Sequence, residues 1–243
     1  MIPKIIHYCW FGGNPKPKLM RKCIKSWQKY CPDYEIKEWN ESNFDVHFNT
    51  YVEEAYNAKK WAFVSDVARI YALYNEGGIY LDTDVKLIKP LDKYLKYNAV
   101  FGFEDSSRIM TALMMGSEKE PVYAEILSYY DDNRFILEDG SFNLTPNPVI
   151  ISDALKKQGF FMNNSRQEID SIVIFPRDYF SPKDNITGEL NKTSNTAAIH
   201  LFDASWTDTK NINHRKKRWR AYKKERIIGK TKAFIRKIAF FKR

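Results

Sequence analysis

The chain places two carboxylates one residue apart directly after an apolar run, in the stretch GGIYLDTD at 77–84. Two glycines end the helical pattern before it, and Ile79 to Leu81 is typical of a short buried strand. Two carboxylates this close repel each other unless a cation lies between them. Mg²⁺ and Mn²⁺ prefer oxygen ligands and are often held by one or two carboxylates together with substrate phosphates. The stretch therefore predicts a metal site at Asp82 and Asp84 or, alternatively, two turn or capping residues after a strand.

The apolar segments along the chain alternate between strand-like and helix-like patterns. Strands are predicted at 4–10, 34–39, 79–81, 99–104, 171–176 and 197–202, and helices at 19–30, 44–59 and 62–76. Such alternation indicates an α/β fold with a mostly parallel or mixed sheet flanked by helices. A chain of 243 residues, 44% of them hydrophobic, is long enough to bury a sizeable core. Ligands of such sheets bind at the carboxyl ends of strands, where the two aspartates lie.

Charge divides the chain into a body and a basic tail. Residues 210–243 hold 15 of the 39 Lys and Arg residues and one acidic residue, which leaves 24 basic and 29 acidic residues in 1–209. In the tail, apolar residues recur at helix-like spacing among the cations, as in an amphipathic helix lying in a membrane interface. A solvated basic tail and a nucleic-acid-binding segment are the alternatives. We predict a catalytic domain over 1–209 and a helical tail over 210–243 that contacts an anionic membrane surface.

The cysteines and the N-terminal residues indicate the cellular compartment of the protein. Three cysteines, Cys9, Cys23 and Cys31, lack CxxC spacing and fit reduced thiols of a cytosolic protein. The start shows no secretory signal pattern, and no window reaches the ~20 apolar residues of a membrane-spanning helix. Together with the basic tail, these features predict a cytoplasmic protein that is peripheral on the inner face of the cell membrane.

A second acidic residue pairs with an arginine on the helix that precedes the apolar strand. Asp66 and Arg69 are three residues apart and share one helix face. Arg69 is suited to bind a phosphate or a sugar hydroxyl, with Asp66 holding it or binding hydroxyls itself. A plain surface ion pair is the alternative reading.

These pieces together resemble a known family. The segments that carry the resemblance are IPKIIHYCWFGG, SWQKYCPDYEIKEWNESNFD, AFVSDVARIYALYNEGGIYLDTDV and IHLFDASW. They resemble glycosyltransferase family 32, whose members carry the sugar-binding region containing the DXD motif and include bacterial capsular and surface-polysaccharide transferases. The resemblance covers 2–206 and implies a GT-A fold, a single Rossmann-like sheet with a nucleotide-sugar site at its strand ends.

The resemblance also implies a Mn²⁺ or Mg²⁺ cofactor and its ligands. Asp84 matches the main metal ligand, and Asp82 matches a ribose, sugar or metal contact. His200 resembles the late metal or diphosphate ligand, although a histidine in an apolar strand is often a core residue with its hydrogen bonds satisfied. Ser205 and Trp206 would then lie on a loop over the diphosphate.

The donor-binding residues follow from the same resemblance. Asp66 and Arg69 match the SDxxR pair that holds the donor sugar, and with Asp84 they form the predicted catalytic set. The segment His7, Tyr8 and Trp10 resembles the part that receives the base and ribose, with a buried core role as the alternative for Trp10. Asn147 is a further candidate donor contact.

The predicted function is metal-dependent, retaining transfer of a hexose in surface polysaccharide synthesis. The expected donor is a nucleotide-diphosphate sugar, most readily a UDP-sugar, and the expected acceptor is a lipid-linked saccharide. We expect front-face attack, with the departing phosphate oxygen taking the acceptor's proton. Glu104 and Asp105 follow a strand, and their position favours solvated loop residues, with orientation of the acceptor by either one as the alternative. The rival classes are an Asp-x-Asp phosphohydrolase and a basic, non-enzymatic nucleic-acid-binding protein.

Overall fold

A computed structural model describes residues 1–203, which contain a seven-stranded sheet and a separate two-stranded ribbon. The strands are Ile5–Cys9 (β1), Glu35–Trp39 (β2), Gly78–Leu81 (β3), Val85–Leu87 (β4), Ala99–Phe103 (β5), Ile109–Gly116 (β6), Gln167–Ile169 (β7), Ile172–Phe175 (β8) and Ala198–His200 (β9). The helices are Lys18–Tyr30 (α1), Thr50–Asn57 (α2), Trp61–Glu76 (α3), Pro121–Asp131 (α4) and Asn147–Lys157 (α5), with a 3₁₀ turn at Asp92–Tyr94.

The large sheet is mixed in strand direction. Its order is β2-β1-β3-β6-β5-β8-β7, and β4 pairs with β9 in the ribbon. Strands β2, β1 and β3 run parallel, β6 runs antiparallel to both β3 and β5, and β8 is parallel to β5. Helices α2 to α5 pack in one hydrophobic core and α1 in another, while alternate side chains of β3 enter each. The predicted α/β class, a mixed sheet flanked by helices, is confirmed.

The chain divides into two compact units. The first comprises Met1–Pro182 and Asn191–Leu201 and contains both sheets; the second comprises Lys183–Leu190 and Phe202–Arg243. In the described part of the second unit, Lys183 and Leu190 form an isolated antiparallel bridge. The predicted tail at 210–243 and the predicted site residues Ser205 and Trp206 lie outside the described residues, so the domain boundary at 209 stays a prediction. Within 1–203 no helix is long and apolar enough to cross a membrane.

Two glycines make the turn from α3 into β3 possible. Gly77 and Gly78 both have positive φ, at 64° and 102°. A Cβ at Gly77 would lie 2.8 Å from the Pro3 ring, and one at Gly78 would lie 2.7 Å from the Ile5 carbonyl oxygen. A side chain at either position would be strained and would clash with backbone atoms. The glycine pair therefore allows β3 to enter the sheet directly beside β1.

His7 stabilises this turn through a hydrogen bond to its backbone. It is fully buried in β1, its Nε2 lies 2.7 Å from the Gly77 carbonyl oxygen, and its Nδ1 accepts a hydrogen bond from Trp39 Nε1 at 3.0 Å. These partners fix a neutral ring that donates through Nε2 and accepts through Nδ1. Burial lowers the pKa of His7 from its usual 6.5, and the Gly77 carbonyl only partly opposes that.

The structure differs from the sequence prediction at several places, and β4, β7, α4 and α5 are elements that were not predicted. The helix predicted at 44–59 is confined to α2, because Asn49 caps it by accepting a hydrogen bond from the Val52 N–H at 2.9 Å. Strand β6 was not predicted at all. Its sequence, IMTALMMG, is rich in residues that favour helices, yet all eight residues are buried between β3 and β5.

The depressed pKa of His7 gives a test of the fold. The folded protein holds this ring neutral, so the unfolded chain binds more protons below pH 6.5, and stability is lost as the pH falls towards the folded pKa. We expect His7→Asn to be less stable than the parent at pH 7.5. The gap in free energy of unfolding should narrow as the pH falls below 6.5, as measured by urea unfolding. A gap that widens as the pH falls would contradict a buried neutral His7.

Candidate functional site

The two neighbouring aspartates lie on one tight turn between β3 and β4. The Val85 N–H donates to the Asp82 carbonyl oxygen at 2.9 Å, and the Asp82 N–H donates to the Ala112 carbonyl oxygen at 2.8 Å. The first bond closes the turn, and the second ties it to β6. Asp82 and Asp84 therefore stand at the carboxyl end of β3 on a fixed backbone.

The β4–β9 ribbon brings His200 to this turn. In its antiparallel register Val85 lies opposite His200, and the Leu201 N–H donates to the Asp84 carbonyl oxygen at 3.0 Å. His200 Nε2 lies 3.3 Å from Asp84 Oδ1. Helix α1 supports the ribbon, because Trp27 Nε1 donates to the Val85 carbonyl oxygen at 2.8 Å. A histidine 116 positions after Asp84 is thereby placed beside the turn of Asp82 and Asp84, which we call the acidic turn.

Asp82, Asp84 and His200 form a group suited to a metal ion. Each offers one ligand atom, and these atoms lie within 4.8 Å of one another. All three side chains are partly buried, with 28%, 15% and 12% of their surface exposed. Two carboxylates and one imidazole are a donor set that Mn²⁺ accepts, and carboxylates also suit Mg²⁺. These residues fit the predicted divalent cation; which ion they take remains a proposal.

Arg69 is buried beside the turn, and its Nε, Nη1 and Nη2 atoms all make polar contacts. Its Nε donates to the Ser65 carbonyl oxygen at 3.2 Å and its Nη1 to the Thr111 carbonyl oxygen at 3.0 Å. Its Nη2 lies 2.9 Å from Asp66 Oδ1 and 3.5 Å from Asp82 Oδ1. Only 7% of its side chain is exposed, so the surface ion pair considered from the sequence is excluded. This arrangement indicates that Arg69 holds the two aspartates rather than reaching a phosphate itself.

Tyr80 completes this network from β3. Its hydroxyl donates to Asp82 Oδ1 at 2.8 Å, and the Arg69 guanidinium carbon lies 4.7 Å from the centre of its ring. Both of these contacts to Asp82 fall on Oδ1. Tyr80 was not predicted as a site residue. The signal was present, because residues two apart on a strand share a face.

Acidic side chains outnumber basic ones at the site. Burial raises the pKa of Asp66 to about 6; Arg69 opposes the rise and Asp82 adds to it. The acidic side chains of Asp66, Asp82 and Asp84 lie beside two basic ones, Arg69 and His200. A divalent cation would reduce the repulsion among these carboxyl groups, which is the electrostatic reason that the site fits one.

Burial and the neighbouring charges shift the pKa values of His200 and Glu104. Burial acts to lower the pKa of His200, but the hydrogen bond and charge of Asp84, with Asp82 and Glu104, outweigh it and raise that pKa. Burial also raises the pKa of Glu104, which the charges of His200 and Arg108 partly offset. Glu104 thus belongs to the electrostatic surroundings of the site and is not the solvated loop residue that the sequence favoured. A metal at His200 competes with a proton there.

The predicted base-and-ribose segment lies at the carboxyl ends of β1 and β2. The Tyr8 hydroxyl and Lys16 Nζ both donate to the Glu38 carboxylate, and Trp10 Nε1 donates to the Asn14 carbonyl oxygen at 2.7 Å. Trp10 is only partly buried and packs against the core that contains α1. His7 is different: both its ring nitrogens are engaged within the fold, which argues for a structural role. Glu38 joins this group although the sequence analysis did not select it.

Asn147 begins α5 and is almost fully buried, at 2% exposure. Its Nδ2 donates to the Tyr130 hydroxyl at 2.5 Å, and the charge of Asp66 contributes to the raised pKa of that tyrosine. Asn147 therefore lies in the layer of side chains behind Asp66. Its role as a donor contact stays a prediction.

Comparisons with known proteins point to one kind of activity. Residues 17–101 match the family model described as "Glycosyltransferase sugar-binding region containing DXD motif". Inositol phosphoceramide mannosyltransferase 3 of Schizosaccharomyces pombe is 31% identical over 134 residues, which are 52% of this chain and 36% of the relative. An uncharacterised glycosyltransferase of Acanthamoeba polyphaga mimivirus is 25% identical over 197 residues, covering 75% of this chain and 76% of the relative. The chain thus spans about a third of the length of the fission yeast relative.

Among solved structures, the PaToxG glycosyltransferase is similar at a TM-score of 0.47 and 20% identity, over 65% of this chain and 70% of that one. The family-model match and the named relatives confirm the predicted resemblance to DXD-containing glycosyltransferases. The named relatives are glycosyltransferases, which agrees with the predicted enzyme class.

The buried position of Arg69 predicts a large stability effect. We expect Arg69→Met to lower the free energy of unfolding by about 3 kcal/mol or more, because it leaves the carboxylates of Asp66 and Asp82 without their cation. Arg108→Met is the matched control, since Arg108 pairs with Asp105 at 2.6 Å across the same three-residue separation but is 53% exposed. Its loss should stay below about 1 kcal/mol. Urea unfolding measures both, and equal small losses would contradict the buried network.

Proposed function

We propose that this chain is a metal-dependent, retaining glycosyltransferase that moves a hexose from a nucleotide-diphosphate sugar to a saccharide acceptor. The observation that carries the proposal is the convergence of Asp82, Asp84 and His200 at the carboxyl end of β3, with ligand atoms within 4.8 Å. A site in which acidic side chains outnumber basic ones suits a divalent cation that would bind together with an anionic diphosphate. The match of residues 17–101 to the DXD-containing family supports the same reading.

In this proposal a divalent ion held by Asp82, Asp84 and His200 supplies positive charge for the diphosphate as the sugar–phosphate bond breaks. The chain's own residues fix the geometry around it. Arg69 and Tyr80 hold the Asp82 carboxylate in one orientation, so no reorganisation is needed when charge develops. Asp66, fixed by the same guanidinium and 16% exposed, is placed to accept hydrogen bonds from sugar hydroxyls.

The expected stereochemistry is retention by front-face attack. The acceptor hydroxyl oxygen bonds to the anomeric carbon on the side from which the diphosphate leaves, and its proton passes to the departing phosphate oxygen. Positive charge at the anomeric carbon is favoured by nearby carboxylates, and Asp66 and Glu104 are the ones that the fold provides beside the metal group. The expected donor is a UDP-sugar, with guanosine diphosphate mannose as the other candidate.

The proposed acceptor is lipid-borne and serves surface polysaccharide synthesis. The fission yeast relative is named an inositol phosphoceramide mannosyltransferase, and ceramide is a lipid. The 15 cations of 210–243 fit attraction to an anionic membrane, at about 1 kcal/mol for each Lys or Arg near the surface. The proposed location is accordingly the inner face of the cell membrane. An Asp-x-Asp phosphohydrolase is disfavoured, because residues 17–101 match the DXD-containing glycosyltransferase family model instead.

Removing the metal ligand tests the proposal. In a panel of UDP- and GDP-sugars, the parent should hydrolyse one donor slowly with Mn²⁺ and not with a chelator. Asp84→Ala should lower that rate by about 100-fold or more, since a bound metal contributes several kcal/mol of charge stabilisation. Asp153→Ala is the control, because Asp153 is exposed and pairs only with Lys156 on α5. Equal hydrolysis by Asp84→Ala and the parent would refute the site assignment.

A further inference from the structure

The outer side of helix α1 is uniformly basic. Its exposed cations fall at positions i, i+3, i+4, i+7 and i+11 of the helix, which share one side. They are Lys18, Arg21, Lys22, Lys25 and Lys29. The opposite side, with Met20, Cys23, Ser26 and Trp27, is buried. We call the five cations the basic face of α1; it is about 17 Å long at 1.5 Å per residue.

No carboxylate neutralises the basic face within residues 1–203. The first 32 residues contain seven Lys and Arg residues and no Asp or Glu. None of the five cations takes part in an ion pair with the described part of the chain. By contrast, Lys4 pairs with Asp33 and Asp92, and Lys16 pairs with Glu38. The charge of the basic face is therefore available to an outside partner.

The helices on the two sides of the sheet differ in the sign of their charge. Helices α2, α3 and α4, which pack in the other hydrophobic core, together contain six acidic residues and one basic residue. Helix α1 contains five basic residues and no acidic one. Such a separation of charge orients a protein in the field of a charged surface. An anionic surface therefore attracts the side of α1 and repels the side of α2 to α4.

Helix α1 is fixed beside the candidate site. Trp27 Nε1 donates to the Val85 carbonyl oxygen at 2.8 Å, and the Leu87 N–H donates to the Ser26 hydroxyl at 3.0 Å. Val85 directly follows the acidic turn in the chain. A surface that binds the basic face is thus held in a fixed position relative to Asp82 and Asp84.

The chemistry of the basic face favours an anionic lipid surface. Four of its five cations are lysines, whose compact charges on mobile stems suit headgroups without fixed geometry, whereas bidentate binding of a phosphate favours arginine. The other exposed position of α1 is Gln28, so no exposed ring is present on which a nucleobase could stack. Four to eight Lys and Arg residues on an amphipathic helix are typical of contact with anionic lipid. The basic segment 210–243 cannot be the occupant, because it carries charge of the same sign.

We infer that the basic face of α1 binds an anionic membrane surface and sets the orientation in which the candidate site meets that surface. The attraction is electrostatic, so it should weaken as the screening length falls from ~10 Å at 0.1 M salt to ~3 Å at 1 M. The inference rests on the proposed function only for its purpose, since a lipid-borne acceptor requires the site to lie near the membrane. The contact itself is independent of the reaction that the site performs.

A vesicle titration of the full-length chain tests this contact. Sedimentation at low salt measures binding to phosphatidylcholine vesicles with and without phosphatidylglycerol, and we expect the parent to bind only those that contain phosphatidylglycerol. Lys22→Gln with Lys25→Gln should weaken that binding by about tenfold or more, because two cations are lost from the contact. Glutamine and lysine have similar helix propensities, so α1 should stay folded.

Lys156→Gln with Lys157→Gln is the matched control. It removes the same two charges from α5, where the side chains are 54% and 74% exposed and the helix packs in the other core. The control should bind vesicles within about twofold of the parent, because its lysines face away from the membrane. In high salt the parent and the basic-face variant should bind equally weakly.

Four results would overturn the inference. One is equal vesicle binding, or none, by the parent and the basic-face variant. Another is an equal loss in the control, which would show that only the net charge matters. The third is a parent dimer in sedimentation velocity that the basic-face variant loses, which would assign the face to the acidic helices of a second copy. The fourth is tighter binding of the parent to a DNA duplex than to vesicles, lost in the variant.

Donor hydrolysis separates this inference from the proposed function. In solution it should be the same in the parent, the basic-face variant and the control, since none of the four lysines belongs to the candidate site. If none of the three proteins hydrolyses any donor, the proposed function fails while the vesicle result still stands.

Discussion

One buried guanidinium organises the acidic site. Arg69 donates to two backbone carbonyl oxygens and faces two carboxylates, and its planar fork makes these contacts in one fixed geometry. Without it, Asp66 and Asp82 would repel each other, and one of them would take up a proton or turn away. Arg69 holds Asp66 and Asp82 near each other, and a divalent cation at Asp82 and Asp84 would add further positive charge. The arginine therefore sets the position of Asp82 in the metal group.

The mixed topology of the sheet supplies hydrogen-bond acceptors for Arg69 and for the turn that carries Asp82 and Asp84. Strand β6 lies antiparallel to β3, and its Thr111 and Ala112 carbonyl oxygens receive Arg69 and the Asp82 N–H. The β4–β9 ribbon adds His200 through its register with Val85. The turn that carries Asp82 and Asp84 is thus held by hydrogen bonds to neighbouring strands, which keeps its side chains within the tight tolerances that chemistry requires.

The sequence was informative where residue type alone determines the chemistry. The acidic doublet, the Asp66–Arg69 spacing and the glycine turn could all be read from it, because each follows from local periodicity or charge. The role of Arg69 could not, since it depends on carbonyl oxygens of a strand that the pattern did not reveal. Strand β6 was missed because its Ala, Leu and Met residues favour helices, and burial between two neighbours overrides that preference. His7 looked like a ligand residue, and only the Trp39 and Gly77 contacts identify it as a support of the turn.

The central claim is that His200 and the acidic turn bind one cation together. Pulsed electron paramagnetic resonance of bound Mn²⁺ tests it directly, because an imidazole ligand couples its ¹⁴N nucleus to the metal electrons. We expect a ¹⁴N coupling in the parent protein that disappears in His200→Gln. His47→Gln, at an exposed histidine, should retain the coupling. Mn²⁺ bound tightly without any histidine nitrogen coupling in the parent would show that His200 is not a ligand.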